Sequence, residues 1–181
     1  MRLHHDAQTR IDQILEKIDL DFIIIRGVQG LFHGNTTVSR DALYAYLDTL
    51  QLDKNYPGVY SIVYAKQVSA LNEEQFVQTM RRDTSVHAEG YPMFALYPEV
   101  ATSSSYVITD IYPESLFMRD LGYRSSIEPK KNQAIQDAVT TDSLQVSDVV
   151  SLPNDPTKIL LFILPATAVH FQLGLPHLKN N

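Results

Sequence analysis

The residue types that could do chemistry in this chain are six histidines, a few carboxylates and a run of serines. The histidines are scattered along the chain, at His4, His5, His33, His87, His170 and His177. No two of them have the spacing that places a pair of metal ligands on one side of a helix or strand. Cysteine is absent, which excludes thiolate ligands, thiol nucleophiles and disulfides. The sequence therefore predicts no metal site and no cofactor.

The carboxylates do not form a recognisable catalytic motif. Asp41, Asp48 and Asp53 could be read as a carboxylate cluster, but they fit a solvated helix face better. Acid–base catalysis needs paired titratable groups in a cleft, and the sequence marks no such pair. It also has no nucleophile elbow, phosphate-binding glycine loop or dinucleotide fingerprint. We assign no catalytic residue, and a hydrolase built on acidic residues is left as a minor alternative.

The serines suggest a binding pocket instead. Ser103–Ser105 directly precede a predicted strand, on which Ser104, Tyr106 and Ile108 point to the same side. A later predicted strand carries Ser147. Small-molecule pockets have mostly apolar walls with a few placed polar groups, and these strands offer both. The alternative is that the serines only form a polar cap on a loop.

The elements that would position these residues begin with a long helix from Asp6 to about Gly30. Its apolar residues recur at steps of three and four, at Ile11, Ile14, Leu15, Ile18, Phe22 and Ile25. Ile11, Ile18 and Ile25 also repeat every seven residues, as at the seam of a parallel helix dimer. Packing of this helix on its own domain explains the same pattern, so both interpretations are left open.

The remainder of the chain predicts helices first and then mostly antiparallel strands with helical inserts, which is an α+β fold. The predicted helices begin at Ser39, Leu71, Pro113 and Pro129, and the predicted strands are Val59–Ala65, Phe94–Tyr97, Tyr106–Ile111, Leu144–Val150 and Ile159–Ala166. Asn154–Pro156 has the composition of a hairpin turn.

Composition limits the partners of the chain. The 181 residues carry a formal charge of −6, and no basic stripe is visible, so we expect no nucleic-acid partner. No apolar run approaches the ~20 residues that span a bilayer, and we expect the chain as given to be soluble.

Five segments in a fixed order resemble a known family. They are YPGVYSIVYAKQV from Tyr56, YVITDIYPE from Tyr106, MRDLGYRSS from Met118, KKNQAIQDAVTTDSLQVSD from Lys130 and ILLFILPATAV from Ile159. In this order and spacing they resemble the CHASE domain, the extracytoplasmic small-molecule sensor of membrane-bound histidine kinases and nucleotide cyclases. The resemblance covers roughly Thr37 to Val169.

The resemblance implies a long stalk helix that carries two PAS-like lobes, with the ligand held in the membrane-distal lobe. For this chain we therefore expect a long N-terminal stalk helix followed by a PAS-like antiparallel sheet lobe with helical inserts. The resemblance also implies a small-molecule ligand, no catalysis, a membrane anchor outside the chain, a periplasmic location and a homodimer formed through the N-terminal helix. The ligand-binding residues implied by the resemblance are Ser104, Tyr106, Ile108, Ser147, Leu164 and Ala166.

The chain departs from the family pattern at several positions. Arg124 stands where an acidic residue is usual, Phe117 where an Asn is expected, and Asp142 where a Gly follows the helix. Ser104 occupies the position of an aspartate in the plant cytokinin receptors. A serine cannot give a purine the charge-assisted hydrogen bond of a carboxylate, which argues against a cytokinin ligand.

We expect three segments: a stalk and second helix (1–52), a PAS-like sensing lobe (53–169), and a C-terminal end (170–181). That end would belong to a shortened membrane-proximal lobe or be a remnant outside the domain. The alternative function is a protein–protein interaction module, which predicts an exposed apolar patch in place of a pocket.

Overall fold

A six-stranded antiparallel sheet forms the centre of the fold. The computed structural model describes residues 22–34, 37–152, 155–166 and 169–176. The strands are β1 (Ser61–Ser69), β2 (Ser104–Tyr112), β3 (Gln145–Val146), β4 (Val150–Leu152), β5 (Asp155–Ala166) and β6 (Val169–Pro176). Their order is β2-β1-β6-β5-β3, and β4 also pairs with β5. With its helices, the protein is α+β as predicted.

Six α-helices accompany the sheet in the described part of the chain. They are α1 (22–33), α2 (Arg40–Leu50), α3 (Leu52–Asn55), α4 (Glu73–Arg81), α5 (Glu114–Phe117) and α6 (Pro129–Thr141). Ser39 occupies the N-cap position of α2, although its side chain makes no capping hydrogen bond. Gln51 ends α2 in the left-handed conformation, with φ 47°, so the predicted helix to Leu52 is divided in two.

Helices α1 and α2 cover one face of the sheet. Ile24, Ile25 and Val28 of α1 pack in a single core with Leu43 of α2 and Leu164 of β5. Ile25 belongs to the predicted dimer seam and is buried against its own lobe. The first part of the predicted stalk helix, including Ile11 and Ile18, lies outside the described residues.

Helix α6 covers the opposite face of the sheet. Ala134, Ile135 and Ala138 form the buried side of α6, as its periodicity predicts, and they pack with Ala65, Tyr106 and Ile163. Val139, which the same helical spacing places next to them, is exposed. Leu164 and its neighbour Ile163 therefore point to opposite layers, in accordance with the two-residue period of a strand.

Strand β2 contains a bulge that shapes the region between α2 and the sheet. Tyr64 pairs with Asp110, whereas the next residue, Ala65, pairs with Ile108, so Thr109 is the extra residue. A bulged residue is left out of the ladder and bends its strand. The carbonyl oxygen of Thr109 instead accepts a hydrogen bond of 2.8 Å from Nη2 of Arg40.

Two predicted strands differ from the structure. Phe94–Tyr97 is a loop, in which Tyr97 forms an isolated bridge with Tyr123. Phe94 is buried in a cluster with Leu121 and does not belong to the sheet. The predicted strand Leu144–Val150 is interrupted between β3 and β4. Both pieces pair with β5, and residues after the expected end of the lobe at Val169 form β6 in the same sheet.

Candidate functional site

Two of the predicted pocket residues, Ser104 and Tyr106, line one small cavity at the start of β2. Its volume is about 170 Å³, and its wall is completed by residues of α6 and the preceding turn, among them Ser126 and Asn132. The Ser126 hydroxyl accepts a hydrogen bond of 3.0 Å from the backbone N–H of Tyr106. Burial raises the pKa of the Tyr106 phenol, which therefore remains a neutral donor. We call this space the β2–α6 cavity.

Ser147 lies at a different cavity, on the other side of α6. That cavity has a volume of about 420 Å³ and is lined by α6 and the segment Gln145–Asp148. The Ser147 hydroxyl donates to the carbonyl of Asp148 at 2.7 Å and accepts from the N–H of Leu161 at 3.1 Å. It thus links the segment between β3 and β4 to β5, and only one lone pair of the hydroxyl is left, so a ligand could contact Ser147 only as a hydrogen-bond donor unless one of these bonds breaks.

The other three predicted residues do not line either cavity among the described side chains. Ile108 is buried with the loop cluster around Phe94 and Leu121. Leu164 packs on the α1 side of the sheet, away from Tyr106. Ala166 is the last residue of β5, and its side chain is outside the described part. Among the predicted residues whose side chains are described, the structure therefore brings only Ser104 and Tyr106 together directly.

Arg124, which replaces the usual acidic residue of the family pattern, has a clear structural partner. Its side chain is 4% exposed and makes two hydrogen bonds to Glu73, of 2.7 and 2.9 Å, and a third of 2.7 Å to the Ser105 hydroxyl. The paired hydrogen bonds are the geometry in which a guanidinium binds a carboxylate most strongly. This contact fixes α4 to the start of β2, beside the β2–α6 cavity.

We expect Glu73→Gln to destabilise the protein by about 2 kcal/mol, and more than Arg124→Met does. The first change leaves the buried guanidinium of Arg124 without an anion, whereas the second leaves Glu73, 26% exposed, able to meet water. The free energy of unfolding in urea measures both. Glu74→Gln on the exposed side of α4 is the matched control.

The pH dependence of this contribution has a definite sign. The hydrogen bonds from Arg124 lower the pKa of Glu73, so its contribution is complete above the pKa of the unfolded chain and is lost as the pH falls through the folded value. If Glu73→Gln and Arg124→Met lower the free energy of unfolding equally, the expected difference between an unpaired buried cation and an unpaired exposed carboxylate is contradicted.

A second group of charges surrounds Arg40 at the start of α2. The side chain is 3% exposed, and its Nε lies 3.2 Å from both Asp83 and Asp110, while Nη1 lies 3.7 Å from Glu114. The guanidinium also stacks over the ring of Tyr91, 4.1 Å from its centre. One cation therefore faces three carboxylates in a largely buried position.

Glu114, in α5, contacts most members of this group. Its Oε1 accepts hydrogen bonds from the hydroxyls of Tyr44, at 3.1 Å, and Tyr91, at 2.6 Å. Its Oε2 lies 2.5 Å from Nε2 of His87. Burial raises the pKa of both tyrosines, which remain protonated donors at neutral pH. The contacts connect α2 to α5 and to the loop 83–91.

Burial also raises the pKa of Asp110, against the opposing effect of Arg40. Sequence reasoning did not identify this cluster as a site. The available signal was the charge of Asp110 within the apolar strand YVITDIY, because a charge at such a position requires a buried partner.

An open cavity of about 580 Å³ adjoins the Arg40 cluster, between the start of α2, α4, β1 and β2. We call it the α2–α4 cavity. It shares no lining residue with the β2–α6 cavity. The described part of the chain thus has separate spaces on the two sides of β2.

Comparison with known families gives one match. The CHASE domain family model matches residues 36–171, about three quarters of the chain. The chain belongs to the CHASE domain family, whose members are extracellular sensor domains of signalling receptors. No individual curated protein matches the chain with significant similarity. Within the described residues, no helix combines the length and apolar character needed to cross a membrane.

Proposed function

We propose that this chain is the extracytoplasmic, periplasmic small-molecule-sensing domain of a membrane-bound histidine kinase or nucleotide cyclase. The observation that carries the proposal is the family match over residues 36–171. The strand order β2-β1-β6-β5-β3, with α5 and α6 inserted between β2 and β3, supports a PAS-like lobe. Catalysis would belong to an output module elsewhere in the receptor.

We place the sensed ligand on the α6 side of the sheet, in and around the β2–α6 cavity. Ser104 and Tyr106 would contact it directly, since both line that cavity. About 170 Å³ is below the roughly 300 Å³ of a typical ligand pocket, so a larger ligand requires α6 to move outward. Such movement would also bring Ser147, on the far side of α6, into contact, with Ala166 as a further proposed wall residue. Ile108 and Leu164 pack in other clusters and are not assigned to this pocket.

Outward movement of α6 on ligand binding would be the conformational change that carries the signal. A ligand shifts an equilibrium only if it binds one of two conformations more tightly, and displacement of α6 defines a second conformation. The cluster formed by Arg40, Tyr44 and Glu114 connects the lobe to α2, directly after α1. We propose that two copies associate through the N-terminal helix and that membrane anchors hold the pair.

A thermal-shift screen against amino acids, organic acids, nucleobases and adenine cytokinins tests the proposed function. A ligand present at 100 times its dissociation constant adds about 2.7 kcal/mol, a rise of about 5 to 10 °C for a domain of this size. The shift is expected to disappear in Ser104→Leu, because a leucine fills the β2–α6 cavity.

The matched control is Ser103→Leu, since Ser103 is exposed and adjacent but does not line the cavity. A shift that is equal in Ser104→Leu and the parent chain would contradict the pocket assignment. No saturable shift across the panel, and no small molecule co-purified, would contradict the sensor.

A further inference from the structure

An apolar surface loop lines a cavity that lies apart from those described above. The loop Tyr91–Tyr97 has the sequence YPMFALY, which is apolar enough to predict a strand but lies outside the sheet. Loops that only meet water are normally polar. A cavity of about 560 Å³ lies between this loop and residues 118–121, and we call it the 91–97 loop cavity. It shares no lining residue with the β2–α6 cavity or the α2–α4 cavity.

Hydrogen bonds hold the loop in place. The N–H of Tyr91 donates to the carbonyl of Arg81 at 3.1 Å, and Nε of Arg81 donates to the carbonyl of Phe94 at 2.8 Å. The hydroxyl of Tyr97 donates to the carbonyl of Arg119 at 2.7 Å, which connects the loop to the opposite wall. The cavity is therefore formed before any ligand arrives, so a ligand would not have to order the loop.

Aromatic rings and thioethers make up much of the cavity wall. The aromatic residues are Tyr91, Phe94 and Tyr97, and Met93 and Met118 also line the cavity. A thioether adapts its shape to a neighbour and makes favourable contacts with the edge of an aromatic ring. This wall suits a flat apolar molecule.

The charged residues of the wall do not favour a charged ligand. Glu89 and Arg119 both line the cavity and carry opposite signs. His87, the other titratable side chain of this kind on the wall, already contacts Glu114. A ligand of either sign would therefore meet attraction and repulsion together, whereas an uncharged ligand meets neither.

The dimensions of the cavity fit a small molecule better than a protein partner. Its volume lies within the roughly 300 to 1,000 Å³ of small-molecule sites. Among the described residues that line it, the large exposed apolar side chains are those of Met93 and Met118, which are 91% and 47% exposed. Two such side chains are too few for the centre of a protein interface, which buries about 800 Å² on each partner.

Two residues of the wall also belong to the Arg40 cluster. The hydroxyl of Tyr91 donates to Glu114 at 2.6 Å, and His87 contacts the other oxygen of the same carboxylate. Glu114 in turn accepts a hydrogen bond from Tyr44 of α2. A molecule in the 91–97 loop cavity would therefore contact residues that hold Glu114 beside α2.

We infer that the 91–97 loop cavity is a second binding site, which takes a small uncharged aromatic molecule. The buried rings of Tyr91 and Phe94 support the ligand from below. Met93 and Met118 close over its ring. The site is independent of the ligand proposed for the β2–α6 cavity, because no lining residue is common to both.

Indole tests the assignment, because the chain contains ten tyrosines and no tryptophan. Indole fluorescence can therefore be excited selectively in the presence of the protein, and its emission shifts to the blue when indole leaves water for an apolar site. Indole is expected to bind the whole chain saturably, and imidazole, which is aromatic but polar, is not expected to displace it. If indole does not bind saturably, or if imidazole displaces it at equal concentration, the inference is wrong.

Variants then assign the binding to this cavity. Met93→Asp and Met118→Asp each place a charge on the apolar wall, and both positions are exposed, so the fold should survive. Each is expected to weaken indole binding by at least about tenfold. Leu71→Asp is the matched control, since Leu71 is 96% exposed and does not line the cavity.

Two other results would overturn the inference. Indole binding that is lost in Ser104→Leu but kept in Met93→Asp would place the aromatic molecule in the β2–α6 cavity and leave the sensor proposal standing. Self-association of the chain in sedimentation experiments that disappears in Met93→Asp, without indole binding, would assign the loop to a protein contact instead.

Discussion

Arg40→Met is expected to lower the free energy of unfolding by about 3 to 5 kcal/mol at neutral pH. The substitution removes the one cation that faces Asp83, Asp110 and Glu114, two of which are themselves buried. A buried carboxylate without a partner costs more than the original pair contributed, and the Thr109 carbonyl loses its donor as well. Urea unfolding followed by circular dichroism measures the loss.

The deficit of Arg40→Met should shrink as the pH is lowered from about 7.5 to about 5. Burial already raises the pKa of Asp110, and removal of Arg40 takes away an influence that opposes this rise. A group with a raised folded-state pKa favours the folded state at low pH, and that contribution is lost as the pH rises through the folded value. Acidification therefore protonates Asp110 in the folded variant and relieves the unpaired charge.

Arg82→Met is the matched control, because Arg82 is exposed and immediately follows α4. We expect it to change the stability by no more than about 0.5 kcal/mol at either pH. A cost for Arg40→Met that is small, or that does not depend on pH, would mean that water compensates the three carboxylates.

Gly122→Ala is the second substitution with a large expected effect, a loss of more than about 3 kcal/mol. Gly122 has φ +86°, which an alanine rarely adopts, and an added Cβ would overlap the carbonyl oxygen of Ala95. The overlap cannot be relieved easily, because the clashing oxygen belongs to the backbone and Gly122 is itself held on both sides: its N–H donates to the carbonyl of Ile108, and its carbonyl accepts from the N–H of Tyr97. Thermal unfolding measures the effect.

Gly30→Ala tests the same glycine-to-alanine change where space and conformation allow it. Gly30 lies in α1, and a Cβ there would meet no atom within 4 Å. We expect this variant to be more stable than the parent by about 0.5 to 1 kcal/mol, because alanine is the better helix former. A Gly122→Ala protein as stable as Gly30→Ala would show that the 95–97 loop moves aside freely.

The sequence alone determined the elements whose pattern is local. The buried side of α6 follows from the spacing of Ala134, Ile135 and Ala138, and the apolar run of β5 predicts a strand buried on both faces. The order of short segments was enough to indicate the CHASE domain. The spacing of apolar residues depends only on neighbours within a few residues, and the family resemblance depends only on the order of segments. Both can be recognised in the sequence itself.

The tertiary structure decided which strand faces meet. Strand periodicity places Ile163 and Leu164 on opposite sides, but only the packing of α1 and α6 shows that Leu164 faces α1 and Ile163 faces α6. The interruption between β3 and β4 could not be predicted from the sequence either, because there the Ser147 hydroxyl accepts a hydrogen bond from the N–H of Leu161, 14 residues away.

The charged clusters depended on the tertiary structure most of all. Arg124 meets Glu73 across 51 residues, and Arg40 meets Thr109 across 69. Their partners are chosen by the strand pairing and by the bulge at Thr109, which no local pattern in the sequence specifies. A hydrophobic period fixes which side of an element is buried, whereas the partner of a buried charge is fixed only when distant elements come together.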